Sequence, residues 1–113
     1  MVESLKGRKI LVVDDEQSNR ELISSALIED GAEVQVATSG REALKILESW
    51  PAELVLMDYH MPEMTGLETL RKLRKLKYPV DVMFVSAHGG NVLTEALDAG
   101  ADDYLVKPFS FEE

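Results

Sequence analysis

Five short, mostly apolar runs constrain the fold of this chain more than any other feature of its sequence. They occupy residues 10–13, 34–37, 54–57, a part of 80–85, and 104–106. Runs this short and this apolar are typical of strands that are buried on both faces. Because segments with helical spacing separate them, the sequence predicts an α/β fold in which helices cover both faces of a parallel sheet.

The segments between the runs carry signals for the start and end of helices. Residues 17–29 are predicted to form a helix that Gly31 ends, and a short helix is predicted before Gly100. Two pairs have the spacing of a capping box, Ser39 with Glu42 and Thr65 with Glu68. The side chains predicted to face inward are Leu22, Ile23, Ala26, Leu27, Ala43, Leu44, Leu47, Leu67, Leu70, Leu73, Leu76, Leu93, Ala96 and Leu97.

Composition limits the classes of protein to which the chain can belong. Its 113 residues fit one domain, predicted to span residues 1–113, and the absence of cysteine excludes disulfides and thiolate zinc sites. No apolar run approaches the roughly 20 residues that span a membrane, and residues 1–8 do not resemble a signal peptide. A net charge of -9 argues against direct nucleic-acid binding. We expect a cytoplasmic protein with no membrane contact.

Polar residues stand where each of four predicted strands ends. Asp14 and Asp15 follow the first strand, Asp58 the third, Ser86 the fourth and Lys107 the fifth. Right-handed crossovers bring the carboxyl ends of parallel strands to one edge of the sheet, where ligands bind at the point of strand-order reversal. We therefore expect these five side chains to share one site.

Three carboxylates at one edge repel each other unless a cation offsets their charge. Mg²⁺ is such a cation, since it prefers oxygen ligands and needs only one or two carboxylates. Asp58 is then a candidate nucleophile that forms an aspartyl-phosphate, with Ser86 and Lys107 contacting the phosphoryl oxygens. Any one of these acidic residues taken alone is as well explained as a solvated loop residue.

Four stretches of the chain resemble the receiver domain of a two-component response regulator, the CheY-like family. They are residues 10–16 (ILVVDDE), 56–67 (LMDYHMPEMTGL), 85–87 (VSA) and 104–109 (YLVKPF). The resemblance implies a flavodoxin-like, doubly wound, five-stranded parallel sheet with strand order 2-1-3-4-5. It also implies a phosphoacceptor signalling domain that changes conformation on phosphorylation, and that catalyses only its own phosphorylation and slow dephosphorylation.

The same resemblance implies individual roles at the metal site. Asp58 would be the phosphoacceptor and a metal ligand, and Asp15 would bind Mg²⁺ directly. Asp14 would act mostly through water, and the main-chain carbonyl of His60 would be a further ligand. The phosphoryl donor would be a phosphohistidine on a sensor histidine kinase or a phosphotransfer protein.

Further roles implied by the resemblance concern the phosphoryl group and the switch. Ser86 and Lys107 would bind phosphate, and Ser86 and Tyr104 would form the conformational switch. The Lys107–Pro108 peptide would be cis. Without the resemblance, Tyr104 is better explained as a packing residue.

Both histidines lie two residues beyond a predicted site residue, His60 after Asp58 and His88 after Ser86. Our hypothesis is that they tune the lifetime of the phosphorylated form, in a way that depends on pH. They are equally explained as solvated loop residues, and a transition-metal site lacks the usual ligand spacing. Thr65 stands where many receiver domains have aspartate, with little expected consequence because either residue caps a helix.

Residues 110–113 have the Ser-x-x-Glu spacing that opens a helix. Receiver domains carry a fifth helix there, so the sequence predicts that this helix is truncated. A sheet face left bare in this way would favour self-association.

Three other functions remain open on sequence grounds. A phosphatase of the haloacid dehalogenase type resembles Asp-x-Asp-x-Thr after the first strand, whereas here Asp58 follows the third. A flavin or nucleotide module would need a glycine-rich loop where Asp14 and Asp15 stand. The strongest alternative is an interaction or dimerisation module on the same fold that works without phosphorylation.

Overall fold

The computed structural model describes residues 5–59, 61–86 and 103–106, and for Ser86 and residues 103–106 it describes the main chain. The elements in chain order are β1 (Lys9–Val13), α1 (Gln17–Glu29), β2 (Glu33–Ala37), α2 (Gly40–Ser49), β3 (Leu54–Asp58), α3 (Gly66–Lys75), β4 (Asp81–Ser86) and β5 (Asp103–Val106). All strand pairs are parallel, in the order β2-β1-β3-β4-β5. The predicted α/β class and strand order are therefore confirmed.

The sheet separates two apolar cores. Leu11 and Val13 of β1 point to the core that α2 and α3 cover, while Ile10 and Val12 point to the core that α1 covers. These four side chains are at most 2% exposed. Apolar residues on both sides of one strand explain why the runs read as continuous rather than alternating.

The end of α1 is a Schellman motif with the predicted glycine. Gly31, at φ 99°, donates its N–H to Ile28, and Ala32 donates to the carbonyl of Leu27. Glycine adopts this left-handed conformation without the steric cost that a Cβ imposes. Ala32 and Leu27 both belong to the α1 core, as the motif requires.

One predicted capping box is complete and the other is only half formed. The Thr65 hydroxyl accepts from the Glu68 N–H, and the Glu68 carboxylate accepts from the Thr65 N–H. The Ser39 hydroxyl likewise accepts from the Glu42 N–H. The Glu42 carboxylate, however, accepts from the main chain and hydroxyl of Thr38, because a second donor adjoins the cap there.

Two leucines predicted to face inward do not. Leu22 and Leu76 are each 60% exposed. Leu22 is turned about 100° from Ile23 on the helix, so it leaves the core when Ile23 and Leu27 face the sheet. Leu76 is the C-cap of α3 and follows its last turn.

Some predictions fall outside the described residues. They concern the helix before Gly100 with Leu93, Ala96 and Leu97, and the helix predicted to begin at residues 110–113. Along the described segments, no helix is long and apolar enough to cross a membrane.

Candidate functional site

Two adjacent strands carry the acidic residues of the predicted site to the same level. Val13 of β1 is in register with Met57 of β3. Asp14 and Asp58 are the residues that directly follow this pair. Asp58 is itself the last residue of β3 and pairs with Val85 of β4. Strand order reverses between β1 and β3, which is where ligands bind in open parallel sheets.

Asp14, Asp15 and Asp58 form one cluster. One carboxylate oxygen from each lies within 4.8 Å of those of the other two. Asp14 is 1% exposed, Asp58 is partly buried, and Asp15 is exposed to solvent. The cluster thus has a buried base and an open side through which a ligand can enter.

Asp14 is held at three atoms. Its Oδ1 accepts from the Glu16 N–H at 2.9 Å, and its own N–H donates to the Ala37 carbonyl at 3.1 Å. Its carbonyl accepts from Nη1 of Arg20 at 2.7 Å. The sequence motifs did not identify Arg20, since a side chain that binds a carbonyl six residues away has no characteristic spacing.

The start of α3 packs tightly against the end of β3. The Gly66 N–H donates to the Tyr59 carbonyl at 2.8 Å, and the Tyr59 ring meets Phe84 edge to face at 5.2 Å. A Cβ at Gly66 would lie 2.5 Å from the Asp58 carbonyl oxygen and 2.7 Å from Phe84. Any larger residue at position 66 would therefore push α3 away from Asp58.

The remaining predicted site residues are placed only in part. Ser86 is the last residue of β4, in register with Val106, and Tyr104 is in register with Phe84. The side chains of Ser86 and Tyr104 are not described. His60, His88, Lys107 and Pro108 lie outside the described residues. Their predicted roles stay predictions.

The carboxylate cluster suits a hard divalent cation. Three anionic groups this close destabilise each other in the absence of a cation, and each offers the oxygen ligands that Mg²⁺ prefers. Asp14 and Asp15 would hold the ion from β1 and Asp58 from β3. Nothing in the described part of the chain adds a nitrogen or sulfur ligand to the cluster.

Comparison with known sequences gives a consistent assignment. A family model for the response regulator receiver domain matches residues 10–113. The chain is 41% identical over 106 residues to Response regulator MprA of Mycolicibacterium vanbaalenii, covering 93% of this chain and 46% of the relative. It is 38% identical to Regulatory protein AtoC of Escherichia coli, covering 93% and 23%. The chain thus spans less than half the length of these curated relatives.

Comparison with solved structures also finds proteins of the response regulator family. The chemotaxis protein CheY4 of Vibrio cholerae superposes with a TM-score of 0.88 at 32% identity, covering 92% of this chain and 89% of that one. The response regulator TrrA of Thermotoga maritima, in complex with Mg²⁺–BeF, gives 0.83 at 39% identity, covering 93% and 90%.

Proposed function

Since the chain belongs to the response regulator receiver domain family, we propose that it takes a phosphoryl group onto Asp58 in the presence of Mg²⁺. Receiver domains are signalling domains of two-component systems rather than classical enzymes. The observation that carries the proposal is the clustering of Asp14, Asp15 and Asp58 within 4.8 Å at the strand-order reversal. We treat residues 1–113 as one such domain.

In the proposed reaction the Asp58 carboxylate is the nucleophile. One of its oxygens attacks the phosphorus of a phosphohistidine; the new O–P bond forms as the P–N bond breaks, and the imidazole of the donor takes up a proton. Asp15, the exposed member of the cluster, marks the open side from which a donor would approach Asp58. Asp14, almost fully buried, adds negative charge without occupying that side.

Mg²⁺, when bound, would offset the negative charge on the transferring phosphoryl oxygens. Asp15 and Asp58 are the proposed direct ligands, with the main-chain carbonyl of His60 and, through water, Asp14. The structure of TrrA in complex with Mg²⁺–BeF supports Mg²⁺ binding by similarity. Ser86 and Lys107 are proposed to bind the phosphoryl oxygens.

Family membership supports a proposal for the partner and the location. We propose a sensor histidine kinase or phosphotransfer protein as donor, in the cytoplasm, with Ser86 and Tyr104 as the switch and His60 and His88 as modulators of phosphoryl lifetime. The net charge of -9 supports the absence of direct nucleic-acid contact by this segment.

Intact-mass measurement after incubation with acetyl phosphate tests the proposal. With Mg²⁺ the wild-type chain should gain the mass of one phosphoryl group, and the gain should disappear without Mg²⁺ or in Asp58→Asn. Asp81→Asn is the matched control, because Asp81 begins β4 at the opposite end of the sheet.

A folded chain that gains no mass would contradict the proposal and favour the phosphorylation-independent interaction module. A gain that persists in Asp58→Asn would show that another residue is the acceptor. Steady turnover of a generic phosphate ester would instead favour the phosphatase alternative.

A further inference from the structure

Arg20 is the cationic side chain through which α1 reaches the acidic turn. It lies in the first turns of α1, six residues after Asp14, and donates from Nη1 to the Asp14 carbonyl at 2.7 Å. We propose that Arg20 is a positioning residue, which fixes the Asp14–Asp15 peptide so that the Asp15 carboxylate is held toward Asp58 for metal binding. This inference rests on the proposed function.

The argument begins with the rigidity of the peptide group. The Asp14 carbonyl and the Asp15 N–H belong to one planar unit, so a hydrogen bond that fixes the oxygen also fixes the direction in which the chain enters Asp15. Asp15 is the exposed member of the cluster, and its side chain has the least packing to hold it. Its position therefore depends on the main chain more than that of Asp14 does.

Two further hydrogen bonds of the turn act on groups next to this peptide rather than on its carbonyl oxygen. The Glu16 N–H binds the Asp14 carboxylate, and the Asp14 N–H binds Ala37 on β2. Both bonds hold Asp14 itself and the residue after Asp15. The bond from Arg20 acts directly on the carbonyl that joins Asp14 to Asp15.

Positioning and charge predict opposite effects on metal affinity. If Arg20 acted only through its charge, removing it would make the site more negative and tighten Mg²⁺ binding. If Arg20 holds the peptide, removing it frees Asp15 and weakens binding. Loss of a group that orients a metal ligand typically weakens affinity by about 10- to 100-fold.

The chain supplies a matched control in Arg74. Its Nη1 donates to the carbonyl of Val80, six residues away, at 2.7 Å and with similar burial. The bond joins the last turn of α3 to the residue before β4, at the end of the sheet opposite the cluster. Removing either arginine takes away the same kind of bond, but only one of the two bonds adjoins the site.

The experiment measures the Mg²⁺ dissociation constant by calorimetry for wild type, Arg20→Met, Arg20→Lys and Arg74→Met. It also measures, without metal, amide hydrogen exchange at Glu16, whose N–H donates to the Asp14 carboxylate. We expect Arg20→Met to weaken Mg²⁺ binding by about 10-fold or more, and to speed exchange at Glu16 because the turn that holds its N–H is loosened. Arg74→Met should leave both unchanged. Arg20→Lys keeps a hydrogen-bond donor and the positive charge, so it should recover part of the affinity. If Arg20→Met does not fold, the comparison of Arg20→Lys with wild type tests the inference instead.

Binding by Arg20→Met that is as tight as wild type, or tighter, would overturn the inference. So would an equal loss of affinity in Arg74→Met, which would show a general loss of stability. A wild-type chain that binds no Mg²⁺ would overturn the proposed function instead. If the wild-type chain binds no Mg²⁺, faster exchange at Glu16 in Arg20→Met, but not in Arg74→Met, would still support the contact of Arg20 with the turn.

Discussion

Lys77 has a backbone conformation that residues with a side chain rarely adopt, with φ at 62°. It follows the C-cap of α3 in a Schellman motif, where its N–H donates to the Arg74 carbonyl and the Tyr78 N–H donates to Leu73. Glycine is the usual residue at this position because a Cβ is strained there. Glu63, at φ 69°, is a second such residue, in the loop between Asp58 and α3.

Replacing Lys77 by glycine should stabilise the protein. Relief of the left-handed strain outweighs the extra freedom that glycine has in the unfolded chain, so we expect a gain of about 0.5–1 kcal/mol in the free energy of unfolding. Urea denaturation measures it. Lys75→Gly, which loses the same charge from the last helical residue, should instead cost about 1 kcal/mol. Equal losses in both variants would contradict the explanation.

Glu42 should contribute to stability in a way that depends on pH. Hydrogen bonds from the Thr38 main chain and hydroxyl hold the pKa of Glu42 below its ordinary value of 4.5, and Arg20 lowers it further against a small desolvation effect. A group with a lowered folded pKa stabilises the protein above pH 4.5, and this contribution is lost as pH falls through the folded pKa.

Urea midpoints between about pH 5 and pH 3 test this contribution. We expect Glu42→Gln to lose less stability than wild type over that range, because it has no charge to lose. Glu48→Gln, at an exposed glutamate in the last turn of the same helix, should follow wild type. Parallel curves for all three proteins would show that the Thr38 contacts do not favour the ionised form.

At the scale of elements, α2 and α3 approach each other closely at one point. Gly40 begins α2 and faces Thr69 of α3, which is fully buried and donates its hydroxyl to the Thr65 carbonyl. A Cβ on Gly40 would collide with the Thr69 hydroxyl oxygen and lie 3.2 Å from the sulfur of Met64. The size of residue 40 therefore sets the distance between the two helices.

Gly40→Ala should destabilise the protein by about 1–3 kcal/mol through overpacking. Thr69→Ala removes the colliding oxygen, so the double variant should lose less stability than the sum of the two single losses. A double-mutant cycle in urea measures this coupling. Strictly additive losses would indicate that the helices do not meet through these residues.

The elements also show what the sequence could and could not predict. The parallel sheet and the acidic cluster followed from apolar runs that end next to Asp14 and Asp58, because parallel strands share a carboxyl edge, and the strand order followed from the resemblance to receiver domains. The exposure of Leu22 was not predicted, because it depends on how α1 is rotated against the sheet. The contact of Glu42 with Thr38 was not predicted either, because it depends on a second donor beside the cap. Arg20 was missed because its bond joins a side chain to a main-chain oxygen.

At the scale of the whole molecule, different helices cover the two faces of the sheet. Within the described residues, α2 and α3 pack on one face and α1 on the other. Leu22 and Ile28 of α1 are exposed by 60% and 56%. The self-association predicted from the sequence stays a prediction, and the exposed Leu22 offers it an apolar contact on α1.

Analytical ultracentrifugation over a range of concentrations tests that association. Leu22→Glu should weaken self-association, because a charge at the contact would have to be desolvated. Leu76→Glu is the matched control, since Leu76 is equally exposed but caps α3 on the other face. A wild-type chain that stays monomeric, or equal effects of the two variants, would contradict the prediction.

The acidic cluster is divided between β1 and β3, which pair directly with each other and lie inside the sheet. Fraying at an edge or opening of a loop cannot separate Asp14 from Asp58; only dismantling of the whole sheet can do so. Each folded molecule therefore keeps Asp14 and Asp58 together, while the position of Asp15 depends on its own local contacts. A heated or partly denatured sample would contain a mixture of competent and incompetent chains rather than a uniform population of weakened ones. A loss of overall stability would then alter how many molecules hold Asp14 and Asp58 together, while leaving this pair the same in each folded molecule.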